Sequence, residues 1–454
     1  MERAFLTGLG AVSPFGGGVE AFWRGALSGD TALAPIRGFD TSGLTNSLAG
    51  EVPAGAVDAW LRSDERARRA RIDQFALAAA REALADAGLD LAACDPSRVA
   101  VVAATTLGAM PIGEEYLRGF PPLKKGGRGD FPNDPADVRR VEALSENPPL
   151  PPFFKGGIED PFSKAGTLER GTRRLLEWPY AATATTLARA LDVRGPVVSP
   201  SIACASGTQA IGQARELIQL GHADVVIAGG AEALCHFVVA GFNCLRATTA
   251  SVVRPFDARR DGLALGEGAA LVVVESAAHA ARRGVAAAIE VAGTGLSSDA
   301  VHMTAPARDG AGAARAIRAA LADAAIAAQQ IDVVSAHGTG TVYNDAMEMA
   351  ALAAVLGMRV ADVPVNGIKG AIGHTLGAAG GFEAILCARM LRDGLVPPTA
   401  GCEQLDPACP LDIVRAAPRR LASRVALSTS SAFAGNNAAI VLRLRENETT
   451  DEHR

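Results

Sequence analysis

The chain has no excess of basic residues: 44 Lys and Arg stand against 49 Asp and Glu, a formal charge of −5. That balance supplies no field to neutralise a phosphate backbone and argues against nucleic acid as a partner. The cysteines lack the marks of a framework. Seven of them, Cys94, Cys204, Cys235, Cys244, Cys387, Cys402 and Cys409, are odd in number, dispersed, and without CxxC spacing. A disulfide scaffold or zinc site is therefore not expected. No stretch approaches eighteen uninterrupted apolar residues, and the opening MERAFLTGLGAVSP has no charged region followed by an apolar run. Neither a membrane span nor a secretory leader is expected, and the reading is a reducing cytoplasm, where a free thiol survives.

What is present is 454 residues with 49% hydrophobic and 20% charged content, enough to bury a large core. Short β-branched runs at 98–103, 224–228, 270–275 and 331–336 alternate with Ala-rich helical segments, which predicts a layered α/β architecture. The chain also repeats itself weakly. Phe5 to Gly10 leading to Ser13 resembles Val291 to Leu296 leading to Ser298 and Asp299. Each half then has a Gly/Ala-rich turn opening a helix, at Cys204 to Gly221 and at His374 to Leu391. Back-to-back halves would bring both helix starts to one shared site.

Between about 119 and 166 the composition turns to Pro, Gly and Lys without periodicity, which reads as an inserted, loosely packed segment. Its ends hold related words, PPLKKGG at 121–127 and PPLPPFFKGG at 148–157. Codons for the first can be read in reverse complement as part of the second, which predicts a captured inverted-repeat element. A contact with a carrier or a dimer partner is the competing reading. Four arginines, Arg66, Arg68, Arg69 and Arg71, lie in a helix-like stretch over 65–87; a solvated face is favoured over docking of an acidic carrier protein.

Chemistry concentrates in three Gly-rich turns. Cys204 lies between an extended Val197-Val198 run and a helix whose apolar face is Ala210, Ile211, Ala214, Leu217 and Ile218. A thiol at a helix start is favoured as thiolate, and its small neighbours leave room for a substrate. His337 follows the strand at 331–336 in a loop HGTGT, and His374 lies in GIKGAIGHTLGAAG, where glycine density implies close backbone approach.

Taken together, ACASGT at Cys204, RPFD at 254–257 with Arg260-Asp261-Gly262, GEG at 266–268, AHGTGT at 336–341, KGAIGHTLGAAG at 369–380 and SSAFAGNN around Phe433 resemble the ordered motifs of β-ketoacyl-acyl-carrier-protein synthases. The likeness is to type II elongating enzymes, with Ser297-Ser298-Asp299 and His302-Met303-Thr304 as further matching stretches. It spans the chain outside the insertion.

The resemblance implies a thiolase-like fold of two similar halves in αβαβα layers, divided as 1–257 and 258–446 with a flexible tail at 447–454. It implies a homodimer, or pairing with a second ketosynthase-like subunit, and an acyl carrier protein as partner. Cys204 would take the acyl chain from the carrier's phosphopantetheine, with its own N–H and that of Phe433 as oxyanion hole. His337 and His374 would stabilise the enolate left when malonyl carrier loses CO2. Lys369 and Glu383 match a lysine–carboxylate pair of the site, and Thr339 and Thr341 match threonines that bind the pantetheine arm. Asp345 and Glu348 match acids of a structural cation site, with a helix-start role for Asp345 as the alternative. No cofactor and no catalytic metal is implied.

Five departures bear on specificity. Ala432 and Ala434 stand where glycines are usual in the gate loop, and Asn436 where threonine is. Gly370 replaces a common serine, and Leu263 a common phenylalanine. A non-catalytic chain-length-factor subunit would share the fold but lose the cysteine; a cysteine hydrolase leaves the second histidine unexplained; a thiolase requires a second active cysteine.

Overall fold

The structure is a computed structural model that describes residues 2–118 and 178–445. Eleven of its strands join in one continuous sheet path. They are β1 (Ala4–Ser13), β2 (Val99–Ala104), β3 (Val197–Val198), β4 (Val225–Glu232), β5 (Gly268–Ser276), β6 (Ile289–Ser298), β7 (Val333–Ser335), β8 (Pro364–Asn366), β9 (Asp412–Ile413), β10 (Val425–Ser431) and β11 (Asn436–Leu444). β1 pairs antiparallel with β5, β5 antiparallel with β4, and β4 parallel with β2, which pairs parallel with β3. The second half repeats this order. β6 pairs antiparallel with β11, β11 antiparallel with β10, and β10 parallel with β7, which continues parallel to β8 and β9.

The two halves meet where β1 and β6 pair, Phe5 opposite Glu290 and Leu6 opposite Ile289. The weak sequence repeat thus falls on the strands that join them. β5 pairs with both β1 and β4, so Gly268–Ser276 belongs to the first half. A division at 257/258 would cut β5 from its partners. The second half's strand pairing begins with β6.

Helices complete the layers. α1 (Arg71–Asp86) and α2 (Ala181–Ala190) cover the outer face of the first half, while α5 (Ala311–Asp323) and α6 (Val342–Leu356) cover that of the second. Between the two halves of the sheet lie α3 (Ser206–Gln219) and α7 (Ala379–Asp393), which pack on each other. In α7 the run from Ala379 to Leu391 is buried throughout, as an inner helix clad on all sides requires. The two helices come close because glycines face each other: a Cβ on Gly380 would lie 2.2 Å from Thr208 N, and one on Gly207 2.8 Å from Gly377 O. α4 (His236–Cys244) sits over the first half beside the site.

The helix-like stretch over 65–87 is broken. A short helix covers Ser63–Ala67, and α1 starts anew at Arg71. The arginines serve the fold: Arg66 pairs with Asp58, Arg69 with Glu65 at 3.8 Å, and Arg71 with the buried Glu267 and with Val52 O at 3.0 Å. The expected insertion at 119–166 and the tail at 447–454 lie outside the described residues. Among those described, no helix is long and apolar enough to cross a membrane.

Candidate active site

Cys204 sits two residues ahead of α3, in the turn that follows β3. The turn is tight: Ala203 has φ +52°, the Ile202 N–H donates to Ser206 Oγ at 2.8 Å, and that hydroxyl donates to Ala203 O at 2.6 Å. The thiol is 5% exposed at the base of a cavity of about 290 Å³. His337, His374, Phe433, Thr339 and Thr341 line the same cavity, so the residues singled out in four separate motifs converge. Burial pushes the Cys204 thiol up to about 12, opposed by the charge of Lys369. The expected thiolate at a helix start is therefore outweighed by desolvation in the closed cavity, and the resting group is a neutral thiol.

The two imidazoles stand edge to face, ring centres 5.2 Å apart and planes at 85°. Each is pinned by its backbone. His374 is clipped to the strand-like segment beside it, its N–H to Ala264 O at 2.7 Å and its carbonyl accepting from Gly266 at 2.9 Å. The His337 N–H donates to Glu348 at 2.7 Å, and Gly338 does so at 2.8 Å.

Hydrogen bonding also fixes the tautomers. The Leu376 N–H donates to His374 Nδ1 at 3.2 Å, and Lys369 Nζ lies 3.2 Å from His337 Nδ1. An ammonium has no lone pair, so His337 Nδ1 accepts. Both rings therefore carry their proton on Nε2. Burial lowers both histidines well below the usual imidazole value, with Lys369 adding to the effect. The cavity thus holds two neutral N–H donors.

Lys369 Nζ also donates to His337 O at 2.6 Å and to the Glu383 carboxylate. Glu383 accepts from Ser430 Oγ at 3.0 Å, and that hydroxyl meets Thr208 Oγ1 of α3 at 2.8 Å. Burial raises the Glu383 carboxyl, with Lys369 pulling it down. The pair is enclosed and touches both the histidine loop and the helix that follows Cys204.

Asp345 and Glu348 lie on one face of α6 and work as loop clamps. Asp345 accepts from Phe256 N at 2.8 Å, Thr339 N at 3.1 Å and Gly340 N at 3.2 Å. Glu348 accepts from the histidine loop and from Thr429 Oγ1 at 2.7 Å. Their oxygens are taken up by amides and a hydroxyl, and among the described residues no group of three or more His, Cys, Asp or Glu could hold a metal. Asp345 sits in the first turn of α6, whose N-cap is Thr341, and its carboxylate bonds the loop ahead of the helix rather than capping the helix itself. The hydroxyls of Thr339 and Thr341 meet at 2.9 Å on the cavity wall.

Phe433 caps the cavity and stacks on Phe242 of α4, ring centres 5.4 Å apart and planes at 20°. The alanines of its loop matter differently. Ala432 is extended, at φ −136°, whereas Ala434 is left-handed, at φ +63°, where glycine is the usual occupant. Gly370 has its own reason: a Cβ there would fall 2.0 Å from Ala400 O, so serine has no room. Leu263 lines the cavity beside Phe242.

Sequence reasoning missed Glu232. It ends β4 and accepts from Thr105 Oγ1 at 2.8 Å, Thr106 N at 2.8 Å, Leu107 N at 3.2 Å and Gly377 N at 3.0 Å. It ties the loop after β2 to the turn of His374, and burial raises its carboxyl to about 7. The available signal was an acid closing the otherwise apolar run VVIAGGAE.

A cysteine at a helix start, two neutral imidazole donors and a buried lysine–glutamate pair, set between the halves of a duplicated α/β fold, define a thiolase-like acyl-transfer enzyme. The Beta-ketoacyl synthase N-terminal domain matches residues 1–126 and 162–280, and the Beta-ketoacyl synthase C-terminal domain matches residues 288–403. The tetracenomycin polyketide synthase ketoacyl synthase alpha subunit of Streptomyces glaucescens is 36% identical over 449 residues, covering 97% of each chain. The 3-oxoacyl-[acyl-carrier-protein] synthase 2 of Staphylococcus aureus (strain COL) is 34% identical over 448 residues, 97% of this chain and 98% of that one. Among solved structures, the ishigamide ketosynthase/chain length factor superposes with TM-score 0.82 at 34% identity, covering 98% of this chain and 100% of that one. A beta-ketoacyl synthase from Burkholderia phymatum STM815 gives 0.79 at 32%, with the same coverage. The chain belongs to the β-ketoacyl synthase family and is a condensing acyltransferase.

Proposed function

We propose that Cys204 carries the growing acyl chain as a thioester and that His337 and His374 stabilise the enolate of the extender unit. The observation that carries this assignment is the pair of neutral imidazoles, each with its proton on Nε2, in the cavity that holds the thiol.

In the first half-reaction Cys204 Sγ attacks the acyl thioester on the phosphopantetheine of an acyl carrier protein. The C–S bond to the carrier breaks, and the thiol proton of Cys204 ends on the departing carrier thiol. Cys204 N–H and Phe433 N–H receive the oxyanion. In the second, malonyl carrier loses CO2 and the electron pair of the broken C–C bond moves into an enolate. Neutral N–H donors suit this oxygen, since it gains charge without needing a full proton. The carbanion then attacks the Cys204 thioester, and the sulfur leaves as thiolate and is reprotonated. Lys369 and Glu383 hold the His337 loop and fix its tautomer, and Thr339 and Thr341 contact the pantetheine arm.

No resident cofactor is needed, because the carrier brings the substrate. A carrier protein as partner is supported by a related structure at TM-score 0.80 and 29% identity, a type II polyketide acyl-carrier protein in complex with its ketosynthase. Dimerisation is part of the reading. Relatives solved as ketosynthase with chain length factor support pairing with a second subunit. The interruption of the family match between 126 and 162 supports reading that stretch as an insertion.

Cys204→Gln tests the division of labour. Its amide resembles an acylated cysteine, so the variant should release CO2 from malonyl carrier while forming no condensation product. A folded variant that does neither refutes the assignment.

A further inference from the structure

Far from the cavity, a second thiol is set against an imidazole and a carboxylate. Cys94 lies between α1 and β2, ahead of Val99. The loop at the other end of β2, Thr105 to Leu107, is the one tied to Glu232 beside the active site. Six strand residues separate the two ends, about 20 Å at strand rise.

Cys94 Sγ is 3.8 Å from His279 Nε2, and His279 Nδ1 is 2.6 Å from Glu275 Oε2. Glu275 is fully buried on β5, so its carboxylate is a fixed acceptor, held in addition by Arg283 Nε at 2.9 Å and by Thr7 Oγ1. A carboxylate can only accept, so Nδ1 carries the ring proton and the Nε2 lone pair faces the thiol. Nucleophile, base and orienting acid are thus in line, on residues the condensation does not use. The thiol proton also has Asp90 O as a competing acceptor, at 3.6 Å.

We propose that Cys94, His279 and Glu275 form a reactive-thiol site that takes small electrophiles, peroxide above all. Cys94 Sγ attacks one peroxide oxygen while its proton passes to His279 Nε2. The O–O bond breaks, the departing hydroxide takes that proton as water, and the sulfur is left as sulfenic acid, oxidised by two electrons. Burial and the Glu275 charge push the Cys94 thiol up, with Arg283 opposing them and Asp90 and Asp224 adding to them. The resting group is therefore the thiol, and reactivity depends on His279 as the base.

The test is peptide-resolved mass spectrometry of the full chain, with limiting iodoacetamide in one arm and hydrogen peroxide with a dimedone trap in the other. Cys244 is the exposed comparison thiol. Cys94 should be modified faster than Cys244 despite being less exposed. His279→Gln should slow Cys94 by about a hundredfold, the low end for a lost general base, and leave Cys244 unchanged. His279→Asn gives a second variant should the first fail to fold. Cys94 reacting more slowly than Cys244 in the parent chain, or at an unchanged rate in both variants, overturns the proposal.

Discussion

His337 shows how far a single residue's environment sets its chemistry. Its motif marked it as a site residue, but its protonation state follows from contacts remote in sequence, Lys369 at Nδ1 and Glu348 at the backbone. Because both histidines titrate well below the usual value, they stay neutral as pH falls from 8 toward 6. Decarboxylation should therefore show no loss with a midpoint near 6.5, which a pH–rate profile of CO2 release checks. Replacing either histidine by Ala removes one donor, about 3 kcal/mol or roughly a hundredfold in that rate. Acyl loading of Cys204 should suffer less from loss of His337.

Glu348 has the opposite sign. Burial raises it to about 7, so the folded chain holds a proton between the unfolded carboxyl value and 7 that the unfolded chain has lost. That contribution is complete below the unfolded value and disappears as pH rises through 7. Urea unfolding at pH 5.5 and pH 8 should show Glu348→Gln losing about 2 kcal/mol less than the parent over this rise. An equal loss in both would show that Glu348 is ionised in the fold throughout.

At the scale of elements, the strands were legible and their ends were not. β2 and β5 fall within two residues of the apolar runs that announced them, because a buried strand is written in consecutive β-branched residues. The 65–87 stretch misled, since its helical periodicity continues across Arg68 to Ala70 while Arg71 is drawn to Glu267 and Val52. Glu232 and the pairing of β5 were hidden for one reason: both depend on neighbours more than a hundred residues away. The gate loop between β10 and β11 was legible as a departure, and the structure supplies its cost at Ala434. Ala434→Gly should relieve the left-handed strain of about 1 kcal/mol and free the loop, read as a faster acyl-loading phase with an unchanged decarboxylation rate in the Cys204→Gln background. An unchanged loading rate would show that the loop does not limit access.

At the scale of the whole molecule, the duplication places the chemistry. Each half sends one helix into the middle layer, and the turns ahead of those helices carry Cys204 and His374. That symmetry was faint in the sequence because only glycine spacing and strand order persist, whereas the fold keeps the full pairing pattern. The described residues on either side of the stretch expected to be an insertion meet: the Ala109 N–H donates to Trp178 O at 3.3 Å, and a Cβ on Gly113 would run into the Trp178 ring. Chain length between close ends is cheap, about 0.6 kcal/mol per doubling. A short Gly-Ser linker in place of 119–166 should therefore leave condensation unchanged. A selective loss of carrier affinity would assign that stretch a role.

The central claim is that Cys204 is the acyl carrier, and intact-mass and peptide mass spectrometry after incubation with acyl carrier proteins of graded chain length tests it most directly. The account predicts one acyl adduct per chain, on the Cys204 peptide, discharged by malonyl carrier and absent from Cys204→Ala, with the preferred length read from the loading series. An adduct on another residue, or undiminished elongation by Cys204→Ala, would contradict it.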